Sequence, residues 1–415
     1  MSIVKPFKAL RPEPSLAPRV ASRPYDVLNS AEARQEAEGN PYSFYHISKS
    51  EIDLPADQDI HAPAVYQKAK ENLERFSNEG TLIREEKPCY YIYQLQMHGR
   101  KQTGITGVSA VSDYERGVIK KHELTRPEKE QDRINHITVT GAQTGNVFLT
   151  YHAREALDEL VSGWQKAHRP VYDFTTPDGV SHTVWVVDDP ETISRITNEF
   201  SETPCTYIAD GHHRAASAAK VAGRLEQAGT TLAPGAAARF FLTTLFPDNQ
   251  LSILDYNRVV TDLNGLSAEE FLSRLDYDFT VEDTDKNAVK PSSAHEFGMY
   301  LGGKWYRLLS RDGTYTTDPI GVLDVTILQQ QVLGKLLGIG DPRTDRRIDF
   351  VGGIRGTDEL VRRVDSGEMA VAFTVYPVSM EQLFDIADSG EIMPPKSTWF
   401  EPKLRDGLLT HLIAD

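Results

Sequence analysis

Cysteine is scarce in this chain: Cys89 and Cys205 are the two among 415 residues. Two thiols so far apart, with no CxxC pair, exclude a disulfide framework and a cysteine-based structural zinc site. Long apolar runs are also missing. Nothing approaches the roughly 18 residues needed to span a bilayer. The opening stretch, MSIVKPFKALRPEP, lacks the apolar core of a secretion signal. A cytoplasmic protein with no membrane partner is the expectation. An excess of basic residues is missing too: 45 Lys and Arg face 60 Asp and Glu, a formal net charge of −15. General nucleic-acid binders draw affinity from cations that displace phosphate counterions, so nucleic acid is not expected as a partner. No repeat with a period of 20 to 50 residues is visible.

What remains is the composition of a globular chain, 40% hydrophobic and 25% charged, with length for two or three domains. Strands and helices alternate, yet the early strands pair as hairpins. PCYYIYQLQMHG is followed by KQTGITGVSAVSDYERG, each rich in β-formers. That pattern predicts an α+β fold with mixed sheets rather than a purely parallel one. Helices are expected after Asn29 or Ser30, over 62–80 with Ala64, Tyr66, Ala69, Leu73 and Phe76 inward, and over 151–167 with Ala153, Ala156, Leu157 and Leu160 on one face. Further helices are expected at PETISRITNEF, at SAEEFLSRL with its Ser267/Glu270 capping box, over PIGVLDVTILQQQVLGKLLGI, and at SMEQLFDIADSGEIM. The first ~30 residues read as extended. One soft boundary is expected near 235–265 and another near 285–297, where EDTDKNAVKPSSAHE is polar and turn-rich. The expected division is a core over 1–240, a second α+β domain over 241–390, and a C-terminal loop over 391–415 that folds back over a site.

The densest chemistry is in YIADGHHRAASAA, residues 207–219. A strand runs straight into an alanine-rich helix through Asp210-Gly211-His212-His213-Arg214. The first N–H groups of a helix lack intrahelical partners and favour an anion. Gly211 allows close approach or a positive φ, and Arg214 offers a fork for phosphate oxygens. His212 and His213 donate hydrogen bonds or shuttle protons near neutral pH. The plainer alternative is that Asp210 caps the helix and the histidines bond locally. Asp210, His212 and His213 are also metal-ligand types.

IKKHELTRPEKEQDRINH, residues 119–136, sets Lys120, Lys121, His122, Thr125, Arg126 and Arg133 around Glu123. It is not the HExxH zinc motif, because no second histidine follows four residues after His122. Glu123 is a candidate general base or Mg²⁺ ligand, the alternative being a solvated charged loop. SRPYDVL supplies Arg23, Tyr25 and Asp26. MPPKSTWFEPKL supplies Lys396, Ser397, Thr398 and Lys403.

RPYDVL, KKHELT, DGHHRAASAA and MPPKSTWFEPKL, in this order and spacing, resemble the ParB-like family catalogued as domain of unknown function 1015. The resemblance covers nearly the whole chain. It implies similarity to the ParB/sulfiredoxin superfamily, whose glycine–X–X–arginine turn binds nucleotide phosphates and matches Gly211-His212-His213-Arg214 here. The superfamily includes CTP-binding partition proteins, ATP-using sulfiredoxins and kinases that phosphorylate free serine, and some relatives of this family resemble serine kinases that use pyrophosphate as donor. The sulfiredoxin cysteine position is His212 in this chain, which disfavours sulfur chemistry. Where the family often has His-Arg, DYNRVV has Asn257-Arg258, so no histidine role transfers.

The resemblance implies a phosphotransferase acting on the hydroxyl of a small molecule, free L-serine first, with pyrophosphate or a nucleotide as donor and Mg²⁺ assisting. Expected phosphate contacts are Gly211, His213, Arg214, Lys121, His122, Thr125, Arg126 and Lys396. Expected substrate contacts are Arg23, Tyr25, Asp26, Ser397, Thr398 and Lys403. Glu123, Asp210 or His212 would take the proton. A non-catalytic nucleotide-binding regulator is the alternative, and a metal-dependent hydrolase built on Asp210, His212 and His213 a further one.

Overall fold

The structure, a computed structural model, describes residues 1–414 except 286. It is α+β, and the chain forms two compact units. One comprises Met1–Lys121, Thr125–Leu251 and Pro402–Asp415; the other comprises His122–Leu124 and Ser252–Glu401. The chain therefore changes unit at 251/252. The C-terminal stretch is split: residues 391–401 lie in the second unit and 402–415 in the first. The polar stretch near 285–297 connects two strands of one sheet and is not a change of unit.

The first unit is built on a nine-stranded mixed sheet. Its strands are β1 (Val4–Lys5), β2 (Tyr90–Met97), β3 (Arg100–Ala110), β4 (Ile119–Lys120), β5 (Val147–Tyr151), β6 (Tyr172–Thr175), β7 (Ser181–Val187), β8 (Thr206–Asp210) and β9 (Phe240–Pro247). The spatial order is β4-β8-β5-β9-β3-β2-β7-β6, with β1 on β3. The expected β2–β3 hairpin is present, from Tyr91 opposite Thr106 to Met97 opposite Arg100. Only β4/β8 and β5/β9 pair in parallel. The core gathers Ile92, Ile105, Leu149, Ile208, Phe241 and Leu245, all at most 1% exposed. Each such side chain contributes about 1.5–3 kcal/mol by leaving water.

Six helices of this unit matter below: α1 (Ser30–Ala37), α2 (Pro63–Asn78), α3 (Pro127–Thr140), α4 (Glu155–Ala167), α5 (Pro190–Glu202) and α6 (His212–Gln227). Asn29 caps α1 through a capping box with Glu32, and Pro190 opens α5 behind the Asp189 cap. The buried stripe of α2 is Val65, Tyr66, Ala69, Asn72, Leu73 and Phe76, so the expected Ala64 faces solvent. In α4 the inward residues are Leu157, Leu160 and Trp164. Ala153 precedes the helix and Ala156 is exposed, because the stripe follows the large apolar side chains. The first 30 residues are only partly extended: Leu10–Pro12 pairs with Leu82–Arg84, and Ala17–Val20 is a helical turn. The terminal stretch is also ordered. Thr410 bridges Leu10, and His411–Leu412 pairs with Ala142–Gln143.

The second unit has a six-stranded, fully antiparallel sheet: β10 (Tyr256–Val260), β11 (Phe279–Asp285), β12 (Glu296–Leu301), β13 (Lys304–Ser310), β14 (Ile348–Gly352) and β15 (Val371–Val375), in the order β11-β13-β12-β15-β10-β14. Helices α7 (Ala268–Leu275) and α8 (Met380–Ser389) start with the capping boxes of Ser267 and Ser379. The long helix expected over 319–339 is shorter. The Asp318 carboxylate accepts from the N–H groups of Ile320 and Gly321, holding a local turn. Regular α-helix covers only Asp324–Leu328, continued by a wider π-type turn over Gln329–Gly334. Among the described residues, no helix is long and apolar enough to cross a membrane.

Candidate active site

Strand β8 ends at Asp210, the chain turns at Gly211, and α6 begins at His212. Gly211 has φ +96°, a left-handed conformation that a side chain disfavours. A Cβ there would also lie 3.3 Å from the Cα of Val147. Glycine leaves the sixteen-residue helix without a side-chain cap. The small residues that follow, Ala215, Ala216, Ser217, Ala218 and Ala219, are buried, and the Ser217 hydroxyl donates to the carbonyls of His213 (2.7 Å) and, across to α3, Glu130 (3.2 Å). The alanine run thus seats α6 tightly and fixes the direction of its N-terminus.

Arg214 is the electrostatic hub of this turn and is only 8% exposed. Its Nη2 donates to both oxygens of Asp26, at 3.1 Å each, and lies 3.9 Å from Asp210. Its Nη1 donates to the Asn146 carbonyl. Burial opposes the charge, but Asp26, Asp210 and Asp406 outweigh it and hold the guanidinium firmly protonated. Asp210 also accepts from Lys403 Nζ at 3.3 Å. Burial pushes its carboxyl up, while Lys403 and Arg214 pull it well below the usual range. Burial drives His212 down to about 3, helped by His213 and Lys121 against the pull of Asp210, so its imidazole is neutral near pH 7.

Tyr25 lies beside this hub. The guanidinium of Arg133 stacks on its ring at 3.9 Å, and that of Arg214 lies 5.7 Å from it. Arg133 is held in turn by Asp132, with its Nη2 at 2.6 Å. Asp406 comes from the C-terminal stretch and is 3% exposed; its backbone N–H and carbonyl pair with Ser22. Burial and Asp26 raise its carboxyl to about 7, against the opposing pull of Arg214. Gly145 permits this crowding: a Cβ there would meet Asp406 Oδ1 at 3.3 Å and Arg214 Cδ at 3.4 Å.

The expected residues thus sort into groups. Tyr25, Asp26, Asp210, Gly211, Arg214 and Lys403 converge. Thr125, Arg126 and His213 form a neighbouring set in the same unit. The Arg126 N–H donates to His213 Nε2 at 2.9 Å, and the Thr125 hydroxyl donates to Glu130, which also pairs with Lys220. Lys121 packs over the Tyr114 ring at 4.5 Å. Arg23 is turned away, paired with Glu36.

In the second unit, the His122 carbonyl accepts from the Met393 N–H at 2.9 Å, and its Nε2 lies 3.4 Å from the Thr398 hydroxyl. Glu123 belongs to this unit too. Lys396, at φ +60°, sits 5.4 Å from the Tyr256 ring, and the Ser397 hydroxyl donates to the Pro394 carbonyl. Arg258 is 3% exposed and organises this loop. It donates to the carbonyls of Tyr256 and Lys396 and stacks on Phe350; burial lowers it to about 10.

Asn146, Asp132 and Asp406 escaped the sequence reading. Asp406 lies in the stretch read as a C-terminal loop. The tail's excess of apolar residues, Leu404, Leu408 and Leu409, all buried, was the available signal that it packs. Among the described residues, no group of three His, Cys, Asp or Glu side chains is arranged to hold a metal ion. Asp210 and His213 are instead engaged by Lys403 and the Arg126 N–H.

Residues 4–326 match the model of the family described as "Protein of unknown function (DUF1015)", and the chain belongs to that family. No curated protein matches it. Solved structures with some likeness include a conserved hypothetical protein from Pyrococcus furiosus (14% identity, TM-score 0.35, 74% of this chain and 94% of that one). A free serine kinase in complex with AMP is another (12%, 0.34, 74% and 92%), as is SbnI with a C-terminal truncation from Staphylococcus aureus (11%, 0.37, 72% and 85%).

Proposed function

We propose that this member of the family of unknown function 1015 is a phosphotransferase that moves a phosphoryl group onto the hydroxyl of a small metabolite. The observation that carries the reading is the Gly211 turn. A left-handed glycine opens a long helix without a side-chain cap, with Lys403 and Arg214 beside it. Such a terminus suits phosphate oxygens, and positioned cations stabilise the charge that develops during transfer.

In this reading the donor phosphates lie at Gly211 and the start of α6, with His213 and Lys403 as side-chain contacts. Arg214 holds Asp26 and the Asn146 loop in register. The acceptor oxygen attacks the terminal phosphorus, the bond to the departing phosphate breaks, and the hydroxyl proton passes to a carboxylate. Asp210 is a weak base because Lys403 and Arg214 stabilise its anion, and His212 is one because its burial disfavours the imidazolium. Asp26, which unlike Asp210 also lines the pocket beside Tyr25, is the carboxylate we assign. Mg²⁺ would come with the donor phosphates and offset their charge, as it usually does where protein ligands are few. Free L-serine is the first acceptor to test, with pyrophosphate, ATP, ADP and CTP as separate donors.

The test is phosphoserine formation with each donor, with Arg214→Ala alongside. Product with one donor that vanishes in the variant supports the assignment. No product with any donor overturns it, and a nucleotide that still binds in that case would indicate a non-catalytic regulator.

A further inference from the structure

A second pocket of about 340 Å³ opens beside Tyr25 and Asp26 in the first unit, walled by α2, α3 and the short helical segments before α2. Asp26 belongs to both places: it lines this pocket and holds Arg214 at the phosphate turn. The volume suits a small metabolite. Its lining carries charges of both signs, Asp26, Glu51, Glu128 and Asp132 with Lys49, Lys129 and Arg133; Lys49 lies 3.1 Å from Glu51 and Arg133 2.6 Å from Asp132. A lining with both signs suits a ligand that itself carries both.

Two buried polar side chains, Ser48 and His136, lie on one wall. The Ser48 hydroxyl, in a residue 3% exposed, makes no hydrogen bond. Such a group costs stability unless something else satisfies it. Next to it in sequence, the Ile47 carbonyl accepts from His136 Nε2 at 3.0 Å. A carbonyl only accepts, so the proton is on Nε2 and Nδ1 is left as an acceptor. Burial lowers His136 to about 4, so the ring is neutral near pH 7. The pocket therefore offers a free hydroxyl and an imidazole lone pair next to paired charges.

We propose that this pocket is the acceptor subsite, in which Ser48 Oγ and His136 Nδ1 read a small molecule carrying both an ammonium and a carboxylate and place its hydroxyl toward Asp26. The proposal rests on the phosphotransferase reading for what the subsite serves. Its occupancy is testable without turnover.

The experiment is calorimetric binding of L-serine to the full chain without donor, beside ethanolamine and glycerate, which each lack one charge. Ser48→Ala removes a hydroxyl that no protein group uses, so its melting temperature should equal or exceed that of the wild type. L-Serine affinity should fall about tenfold in that variant, the scale of one lost hydrogen bond. Ethanolamine and glycerate should each bind at least tenfold more weakly than L-serine to the wild type. In turnover, the KM for serine should rise while the donor KM stays put. His136→Asn is the second variant, retaining a polar group but misplacing the acceptor. Unchanged L-serine affinity in folded Ser48→Ala, or no binding by the wild type, overturns the subsite. Ser48-dependent binding with no phosphoserine from any donor would keep the subsite and remove the kinase. Phosphoserine made by Ser48→Ala with a wild-type KM would do the reverse.

Discussion

Arg214 Nη2 sits 3.1 Å from both carboxylate oxygens of Asp26, although the two residues are 188 positions apart in the chain. The pair joins the turn that opens α6 to the RPYDVL stretch, so neither motif holds its shape alone. Because Arg214 is buried and Asp26 is partly exposed, the two halves are unequal. Arg214→Ala leaves Asp26, Asp210 and Asp406 facing one another without their shared cation. We expect it to destabilise the protein by about 3–5 kcal/mol. Asp26→Asn leaves two carboxylates to serve the guanidinium and should cost about 1–2 kcal/mol. Urea unfolding of both variants checks the order, and an Asn variant at least as destabilised as the Ala variant would refute the hub.

Gly211 makes a sharper local prediction. Its φ of +96° strains any side chain, and the added Cβ would press on the Val147 backbone. Gly211→Ala should cost about 1–3 kcal/mol. It should also abolish phosphoryl transfer if donor phosphates approach the helix terminus there. Gly223, in the same helix with open space around it, is the control. Gly223→Ala should be neutral or stabilising by up to about 1 kcal/mol, read by thermal melts.

The turn at 210–214 was legible because everything that makes it is local: a β-rich run, a glycine, then alanines at helical spacing. The Asn29, Ser267 and Ser379 caps were legible for the same reason. What the turn holds was not. The fork of Arg214 reads as a phosphate clamp in sequence, yet in the fold it is committed to Asp26 and the Asn146 carbonyl, since burying a guanidinium requires partners on the spot. Those partners arrive by long-range packing that no spacing encodes. The same holds for Arg258, whose neighbours are carbonyls rather than charges. Ala153 and Ala156 misled because alanine is neutral about burial, and the larger Leu157, Leu160 and Trp164 decide which face turns inward.

Asp406 gives the chain a pH signature. Its carboxyl is raised to about 7 by burial first, with Asp26 adding to the rise. Between about pH 4 and 7 the folded chain keeps a proton that the unfolded chain releases, so this residue's contribution to stability falls as pH rises through that window. Asp406→Asn removes the term. Relative to wild type, the variant should gain about 1–4 kcal/mol between pH 4.5 and 7.5. Groups shifted the other way, such as His136 and His182, are common to both proteins and cancel in the difference. Denaturant midpoints at the two pH values test this, and parallel pH profiles for the two proteins would mean that Asp406 is ionised in the fold.

Lys403 separates the donor side of the proposed reaction from the acceptor side. Its Nζ reaches Asp210 at 3.3 Å from a stretch of chain that returns to the first unit after the second is complete. Lys403→Met keeps the aliphatic stem and removes the charge. Asp210 then loses the strongest influence holding its anion, so its carboxyl should move back up toward the ordinary range. With the cation gone, developing phosphate charge loses a stabilising partner, and kcat should fall about 10²–10³-fold. The donor KM should rise and the KM for the hydroxyl acceptor should stay near its wild-type value, because Lys403 faces the Gly211 turn and Ser48 and His136 face the other pocket. Steady-state kinetics with each substrate varied in turn distinguish the cases. A rise confined to the acceptor KM would place the phosphates elsewhere and move the donor away from α6.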